Sequence, residues 1–137
     1  MEGCLFCDIV SGKIPAYKIG EDSDHIAFLG IFPKFAGMTV VVTKQHFGGY
    51  LYETLSDEQL TKLHLFAKKI AKSLTEALGS MRCFQVMEGM EVDHAHVKLF
   101  PVYDGKYYGV KYESDNRATD AELKEVFEKI EKVGVNI

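Results

Sequence analysis

Two histidines and a lysine alternate with apolar residues in the second half of the chain. His94, His96 and Lys98 occupy every second position, and Ala95 and Val97 separate them. This period-two pattern predicts a β-strand with the polar side chains on one face and the apolar side chains on the other. Histidine serves as a proton carrier, a nucleophile and a metal ligand, so this face is a candidate chemical site. The alternative is a solvated outer face that happens to carry histidine.

A pair of cysteines near the N-terminus suggests metal chemistry. Cys4 and Cys7 form a Cys-x-x-Cys motif without a strand in front of it, which disfavours a thiol oxidoreductase. The motif supplies two ligands, whereas a structural zinc site takes four thiolate or imidazole ligands. The other two must come from elsewhere, and the chain has five histidines. The alternative is a pair of small buried residues that flank Leu5 and Phe6.

Length, charge and hydropathy exclude several classes of protein. The 137 residues fit one domain, and the net charge is −4 without a Lys/Arg run, which disfavours a nucleic-acid-binding protein. A small anionic ligand is still compatible with this charge. The sequence shows no apolar run of membrane-spanning length and no signal-peptide pattern at its start, so we expect a cytoplasmic protein with its three cysteines reduced.

Two helices carry clear end signals. Ser56 and Gln59 form a capping box and Gly79 supplies a C-terminal stop, which predicts a long helix over 56–78. Thr119 and Glu122 predict the start of a second helix that Gly134 closes. The buried stripe of the long helix is predicted to contain Leu60, Leu63, Ala67, Ile70, Leu74 and Ala77.

Short strands flank the long helix. They are predicted near Tyr17–Ile19, His25–Leu29, Thr39–Val42 and Arg82–Val86, followed by the strand that carries the histidines. The connections between them are short, and the chain contains no internal repeat. This arrangement favours a single α+β domain that is built on an antiparallel sheet.

An ordered series of motifs resembles the histidine triad (HIT) family. The series is Cys-x-x-Cys, Gly-x-Ile-Pro, Glu-Asp, Ala-Phe-Leu, a three-valine strand that ends in Lys-x-His, a long helix and His-x-His. In this chain it contains Cys4 and Cys7, 12–15, Glu21 and Asp22, 27–29, 40–46, and His94 with His96. The resemblance covers about residues 3–101.

The resemblance implies a HIT-like fold of about five antiparallel strands with the long helix on the sheet, and a homodimer. Residues 102–137, with the second helix, resemble a C-terminal extension. The implied chemistry is nucleotidyl transfer or hydrolysis on a small nucleotide, such as a nucleoside phosphoramidate or a dinucleoside polyphosphate. His96 occupies the position of the nucleophile that forms a nucleotidyl-histidine, and Lys98 would stabilise phosphate charge.

The zinc-containing branch of the family adds a ligand set. Its metal positions correspond to Cys4, Cys7, His46 and His94, all of which are present. A Cys2His2 set has no open coordination position, so the implied zinc is structural.

Several positions depart from the family pattern. Lys98 replaces the third histidine of the triad. The other departures are Gly30 in place of a ribose-binding Asp, Met38 in place of His, Met87 in place of Asn, and Met90 and Glu91 within a Gly-Gln-Ser segment. The nucleophile and metal positions are kept, whereas much of the substrate-holding set is not. We therefore favour a HIT-family hydrolase or transferase, and the alternative is a catalytically degenerate, dimeric scaffold protein.

Overall fold

The structure is a computed structural model that describes residues 1–105 and 116–134. The chain divides into two compact units, Met1–Lys106 and Tyr107–Ile137. The first unit contains α1 (Leu5–Val10), β1 (Lys18–Glu21), β2 (His25–Leu29), β3 (Thr39–Thr43), α2 (Leu51–Thr54), α3 (Asp57–Leu78), β4 (Arg82–Val86) and β5 (His96–Val102). The second unit contains α4 (Asp120–Val133).

The five strands form one sheet in the order β1-β2-β3-β5-β4. All neighbouring strands are antiparallel, so the predicted α+β fold with five strands is confirmed. In the centre of the sheet, Val41 of β3 lies opposite Ala27 of β2 on one side and Val97 of β5 on the other. The central strand β3 consists entirely of β-branched residues, which fit a covered, pleated surface.

Helix α3 covers one face of the sheet. The predicted capping box is present, because Gln59 N donates to Ser56 Oγ and Ser56 N donates to Gln59 Oε1. Gly79 ends the helix with φ 66°, a left-handed conformation that glycine adopts without strain. The buried stripe consists of Leu63, Phe66, Ala67, Ile70 and Leu74, which pack with Ala27, Val41, Ala95, Val97 and Leu99 of the sheet side.

The opposite face of the sheet is only partly covered by α1. Phe6 of this helix packs in a smaller apolar cluster with Ile26, Phe28, Val40 and Val42. The alternation along the strands therefore sorts their side chains into two clusters, one beneath each helix.

The histidine-bearing segment differs from its prediction in two ways. Strand β5 begins at His96, so His94 lies in the turn before the strand and not on it. His94 and His96 are 0% and 2% exposed, so the alternative of a solvated outer face is wrong. Because α1 covers this part of the sheet, side chains on the outer face of the predicted strand become interior.

The remaining element boundaries mostly agree with the sequence. Strands β2 and β4 have the predicted ends, whereas β1 starts one residue after the predicted Tyr17 and runs to Glu21. Helices α1 and α2, with six and four residues, were not predicted. Helices this short are not stable alone and depend on tertiary contacts, so local sequence signals do not reveal them.

Helix α4 begins as predicted, with a complete capping box between Thr119 and Glu122. Its apolar side chains are at least half exposed in the structure: Leu123, Val126, Phe127, Ile130 and Val133. None of the helices in the described residues is long and apolar enough to cross a membrane.

Candidate functional site

The first part of the site lies where the end of β3 meets the start of β5. Thr43 N donates to Ala95 O at 3.2 Å, and Ala95 N donates to Phe47 O at 2.8 Å. These bonds hold the segment after β3 beside the segment before β5. His46 and His94, which are 48 residues apart in sequence, are thereby brought together.

Four predicted metal ligands converge at this junction. Their ligand atoms, in Cys4, Cys7, His46 and His94, all lie within 4.8 Å of one another. Three distances involve His94 Nδ1: 3.3 Å to Cys4 Sγ, 3.5 Å to Cys7 Sγ and 3.2 Å to His46 Nδ1. Bond lengths for tetrahedral zinc place thiolate and imidazole ligand atoms about 3.3 to 3.8 Å apart. The cluster therefore has the donor types and the spacing that a metal ion needs.

The protonation of His94 is suited to a ligand. Its Nε2 lies 2.7 Å from the carbonyl oxygen of Thr43, so Nε2 must carry the proton and donate it. Nδ1, which points at the cluster, is then left with its lone pair. Burial lowers the pKa of His94 and favours the neutral form that binds metals. Burial raises the pKa of the Cys7 thiol, so a cation that binds here must displace a proton.

His96 lies next to this cluster with a fixed tautomer. Its Nδ1 donates to the carbonyl oxygen of His94 at 2.6 Å, which leaves Nε2 unprotonated. Burial lowers the pKa of His96, although the hydrogen bond to His94 opposes this shift. The ring of Phe6 contacts His96 edge-on, with the ring centres 4.9 Å apart. A neutral imidazole in this orientation has the electronic form of a nucleophile.

A cavity of about 840 Å³ opens beside His96. Most of its wall is apolar and includes Phe6 and Ile9 of α1, Phe28 of β2 and Phe100 of β5. A wall of this kind accepts a planar ring system and a small organic ligand. The two candidate catalytic residues, His96 and Lys98, both line the same cavity and follow one another on one face of β5.

Lys98 is not a free cation. Its Nζ lies 3.6 Å from Glu88 Oε1 and 3.5 Å from Glu91 Oε2. Glu88 is held in place, because its second carboxylate oxygen accepts the backbone N–H of Met90 at 2.7 Å. Glu91 is mostly exposed and itself lines the cavity. Two carboxylates therefore face the single ammonium group beside the nucleophile candidate.

Two of the departures from the family pattern form a matched pair. A Cβ added to Gly30 would clash with Cε of Met38, so the methionine occupies the space of a side chain at residue 30. Met38 packs with the apolar cluster under α1 and lines the cavity. Of the other departures, Met87 packs against the core on the α3 side, whereas Met90 is exposed. This part of the cavity is therefore apolar where the family pattern has polar groups.

Several supporting residues were missed at the sequence level. Thr43 fixes the tautomer of His94 through its backbone carbonyl, and any residue type offers that group. Asp93 Oδ1 accepts Gly49 N at 2.7 Å and ties the two segments that carry His46 and His94. The contact between Glu88 and Lys98 was also missed. The only signal for it in the sequence is that an acidic residue lies ten positions before this lysine.

Comparisons with known proteins agree with this geometry. The sequence model of the HIT domain matches residues 11–105. An uncharacterised 16.1 kDa HIT-like protein of Mycoplasma pneumoniae is 34% identical over 126 residues, which cover 86% of this chain and 85% of the relative.

Two further matches include an enzyme and a solved structure. The adenosine 5'-monophosphoramidase of Saccharomyces cerevisiae is 34% identical over 104 residues, which cover 75% of this chain and 65% of the enzyme. A Streptococcus mutans protein of known crystal structure superposes with a TM-score of 0.81 and 32% identity, covering 97% of this chain and 86% of that chain.

Proposed function

This chain belongs to the HIT domain family, and on that premise we propose that it hydrolyses or transfers the nucleotidyl group of a small nucleotide. The observation that carries the proposal is the state of His96. This residue lines the cavity, and its buried, neutral imidazole has an unprotonated Nε2. The yeast relative is an adenosine 5'-monophosphoramidase, so a nucleoside phosphoramidate is the first substrate class to consider. A dinucleoside polyphosphate is the second.

The first step of the proposed reaction transfers the nucleotidyl group to His96. Nε2 attacks the α-phosphorus, the bond from phosphorus to the leaving nitrogen breaks, and a nucleotidyl-histidine forms. The leaving nitrogen takes a proton from the ammonium group of Lys98, and the amine departs. The positive charge of Lys98 also opposes the charge that develops on the phosphoryl oxygens.

The second step returns both residues to their starting forms. Water attacks the nucleotidyl-histidine, Lys98 accepts the proton that water loses, and the bond between phosphorus and Nε2 breaks. The nucleoside monophosphate leaves, and His96 is again neutral with its Nδ1–H on the carbonyl oxygen of His94. Lysine accepts this proton only because it has already given one away in the first step.

We also propose that the four-residue cluster holds zinc. Two thiolates and two imidazoles are the ligand set of a structural zinc site, and the distances fit tetrahedral coordination. Bound zinc would supply a fixed cross-link with no open position for catalysis. The part that the chain itself plays is to place α1, and with it Phe6, against the strand that carries His96.

A second candidate function rests on the altered cavity. Met38 fills the space beside Gly30, and Glu88 and Glu91 surround Lys98, so groups that hold a nucleotide elsewhere in the family pattern are absent here. This composition favours a catalytically degenerate scaffold protein that keeps the fold and the metal cluster.

For either function we retain the homodimer as part of the proposal. Light scattering tests it, and a mass of 15.4 kDa would contradict it.

Intact-mass spectrometry separates the two functions. The protein is incubated briefly with adenosine 5'-phosphoramidate or with a diadenosine polyphosphate, and AMP release is followed in parallel. We expect an adenylyl adduct and product with the wild type and with His64→Ala, because His64 lies on α3 on the other side of the sheet. Neither adduct nor product is expected with His96→Ala.

Zinc content provides the control for this experiment. His96→Ala should keep the same zinc stoichiometry as the wild type, since His96 is not one of the four cluster residues. Loss of zinc in this variant would mean that the roles of His94 and His96 are exchanged. If the wild type gives no adduct, no product and no nucleotide binding, the enzyme proposal is wrong and the scaffold function replaces it.

A further inference from the structure

The charges beside His96 point to a preference for one kind of leaving group. We propose that Glu88 and Glu91 make the site select leaving groups that carry a positive charge, such as an amine with a second, ammonium-bearing group, over polyphosphate leaving groups. This inference rests on the proposed function, because it concerns the same cavity and the same nucleophile.

The charges around Lys98 do not balance. One ammonium group faces two carboxylates at 3.6 and 3.5 Å, so this group of three residues carries a net charge of about −1 at neutral pH. Lys34, the other cation of the cavity wall, belongs to the loop between β2 and β3 and not to this strand. Because both carboxylates contact Lys98 directly, their negative charge lies two strand positions from His96.

These charged groups lie close to the position of the reacting phosphate. His96 and Lys98 lie two residues apart on one face of β5, which places their Cα atoms about 7 Å apart. A phosphate that is in contact with His96 Nε2 and with the Lys98 ammonium lies within reach of the Glu91 carboxylate, which lines the same cavity.

The two carboxylates differ in how firmly they are held and how far they are exposed. Glu88 is tethered, because one oxygen accepts Met90 N and the other faces Lys98, and its side chain is only one-third exposed. Glu91 is 81% exposed and lines the cavity. Solvent screens Glu91 more strongly, but Glu91 lines the cavity, whereas Glu88 acts through its contact with Lys98. The two single variants therefore separate their contributions.

The consequence for the leaving group follows from elementary electrostatics. A polyphosphate that leaves from the α-phosphorus brings several negative charges close to Glu88 and Glu91, which repel it. An amine that carries an ammonium group is attracted by the same carboxylates, and one unit charge at about 6 Å in a partly solvated site changes an equilibrium by roughly three- to tenfold or more. The positive charge of Lys98, which would favour a polyanion, is therefore outweighed by the two carboxylates.

The test compares three substrates that share adenosine 5'-phosphate and differ only in the leaving group. The leaving groups are n-propylamine, 1,3-diaminopropane with its free ammonium group, and ATP, which leaves from diadenosine tetraphosphate. The values of kcat/KM are measured for the wild type, Glu88→Gln, Glu91→Gln and the double variant. Glu76→Gln is the matched control, because this exposed carboxylate lies on α3, which packs on the opposite face of the sheet.

We expect the wild type to prefer the diamine over propylamine by roughly tenfold, and to cleave the polyphosphate poorly. The double variant should lose most of the preference for the diamine and gain activity on the polyphosphate, whereas Glu76→Gln should behave as the wild type. Raising the salt concentration should reduce the preference in the wild type. Glutamine keeps an oxygen that can accept Met90 N, so the loop around Glu88 should keep its fold, and melting curves check this.

The possible results separate this inference from the proposed function. If the ratios of kcat/KM among the three substrates are the same in the double variant as in the wild type, the inference is wrong, while the proposed enzyme activity stands. A uniform rise for all three substrates in the double variant would also overturn it, because the carboxylates would then merely weaken Lys98. No cleavage of any substrate by the wild type would instead contradict the proposed function.

Discussion

On one face of the sheet the 22-residue helix α3 buries five apolar side chains, whereas on the other face the six-residue helix α1 covers only part of the strands. The α3 face is held by apolar contact, which is non-directional and fills the space between helix and sheet. The α1 face is held at Cys4 and Cys7 by a few directional contacts with His46 and His94.

The difference explains where the cavity lies. Close packing fills the space between the buried side chains of α3 and the sheet, so this face mainly contributes stability. A short helix that is fixed by ligand-type contacts at one end can stand over the sheet without filling the space next to it. The cavity beside His96 is that unfilled space, and Leu5, Phe6 and Ile9 of α1 form part of its wall.

The largest effect is expected from opening the α3 face. Leu63 is completely buried, and Leu63→Ala should lower the free energy of unfolding by about 2 to 5 kcal/mol because a cavity remains. Urea denaturation measures this loss. Leu65→Ala on the exposed side of the same helix should cost about 0.5 kcal/mol or less. A loss below about 1 kcal/mol for Leu63→Ala would mean that apolar packing is not the main source of stability on this face.

The second effect comes from releasing the α1 face. In protein that is saturated with zinc at about a hundredfold excess over Kd, the bound metal adds about 2.7 kcal/mol to stability. Cys4→Ser or Cys7→Ser should remove the metal and that increment, and a chelator should then lower the melting temperature of the wild type but not of these two variants. Cys83→Ser, a cysteine outside the cluster, is the control. Full zinc stoichiometry with an unchanged melting curve in Cys7→Ser would contradict this prediction.

A smaller effect is expected from the contact between α1 and the nucleophile candidate. Phe6→Leu roughly keeps the apolar volume and should cost less than about 1.5 kcal/mol in stability. It removes the edge-on ring contact with His96, so the imidazole resonances of His96 should shift in proton–nitrogen correlation spectra. The tautomer should not change, because the Nδ1–H bond to His94 O fixes it. A change of tautomer would show that Phe6, and not the backbone, orients the nucleophile candidate.

The smallest effect concerns a polar exception on the α3 face. His25 is buried there, stacks on Phe66 and bonds to the Asp22 carboxylate at 3.0 Å. Burial opposes ionisation of Asp22, but the hydrogen bonds from the His25 side chain and from the backbone N–H groups of Asp24 and His25 hold its pKa below the usual value. The folded state therefore binds this proton less readily than the unfolded state does.

The sign of the pH effect follows from linkage. The contribution of Asp22 is present above its unfolded pKa of about 3.9 and is lost as the pH falls through the lower folded value. Asp22→Asn should cost about 1 kcal/mol at neutral pH and almost nothing in strong acid. Parallel melting curves of the wild type, Asp22→Asn and the exposed-site control Glu76→Gln measure it. A difference that stays constant from neutral pH into acid would refute this account.

Much of the fold could be predicted because its signals are local. The ends of α3 are set by a capping box and a glycine stop, and the strand at His25–Leu29 has the predicted bounds. The metal-ligand set was predicted from the motif resemblance, and the structure brings its four residues together. Helix α1 could not be predicted, since six residues give too weak a helical signal and the contacts that stabilise it come from distant segments.

Taken alone, the sequence determined which side chains alternate along each strand, where the long helix begins and ends, and which residue types are available for chemistry. The tertiary structure alone decided that His94 and His96 are buried and that their tautomers are fixed by backbone carbonyls. It also decided that Met38 takes the space beside Gly30. The physical reason is that periodicity is a property of neighbouring residues, whereas burial, tautomer and steric exclusion depend on atoms that are brought together from far along the chain.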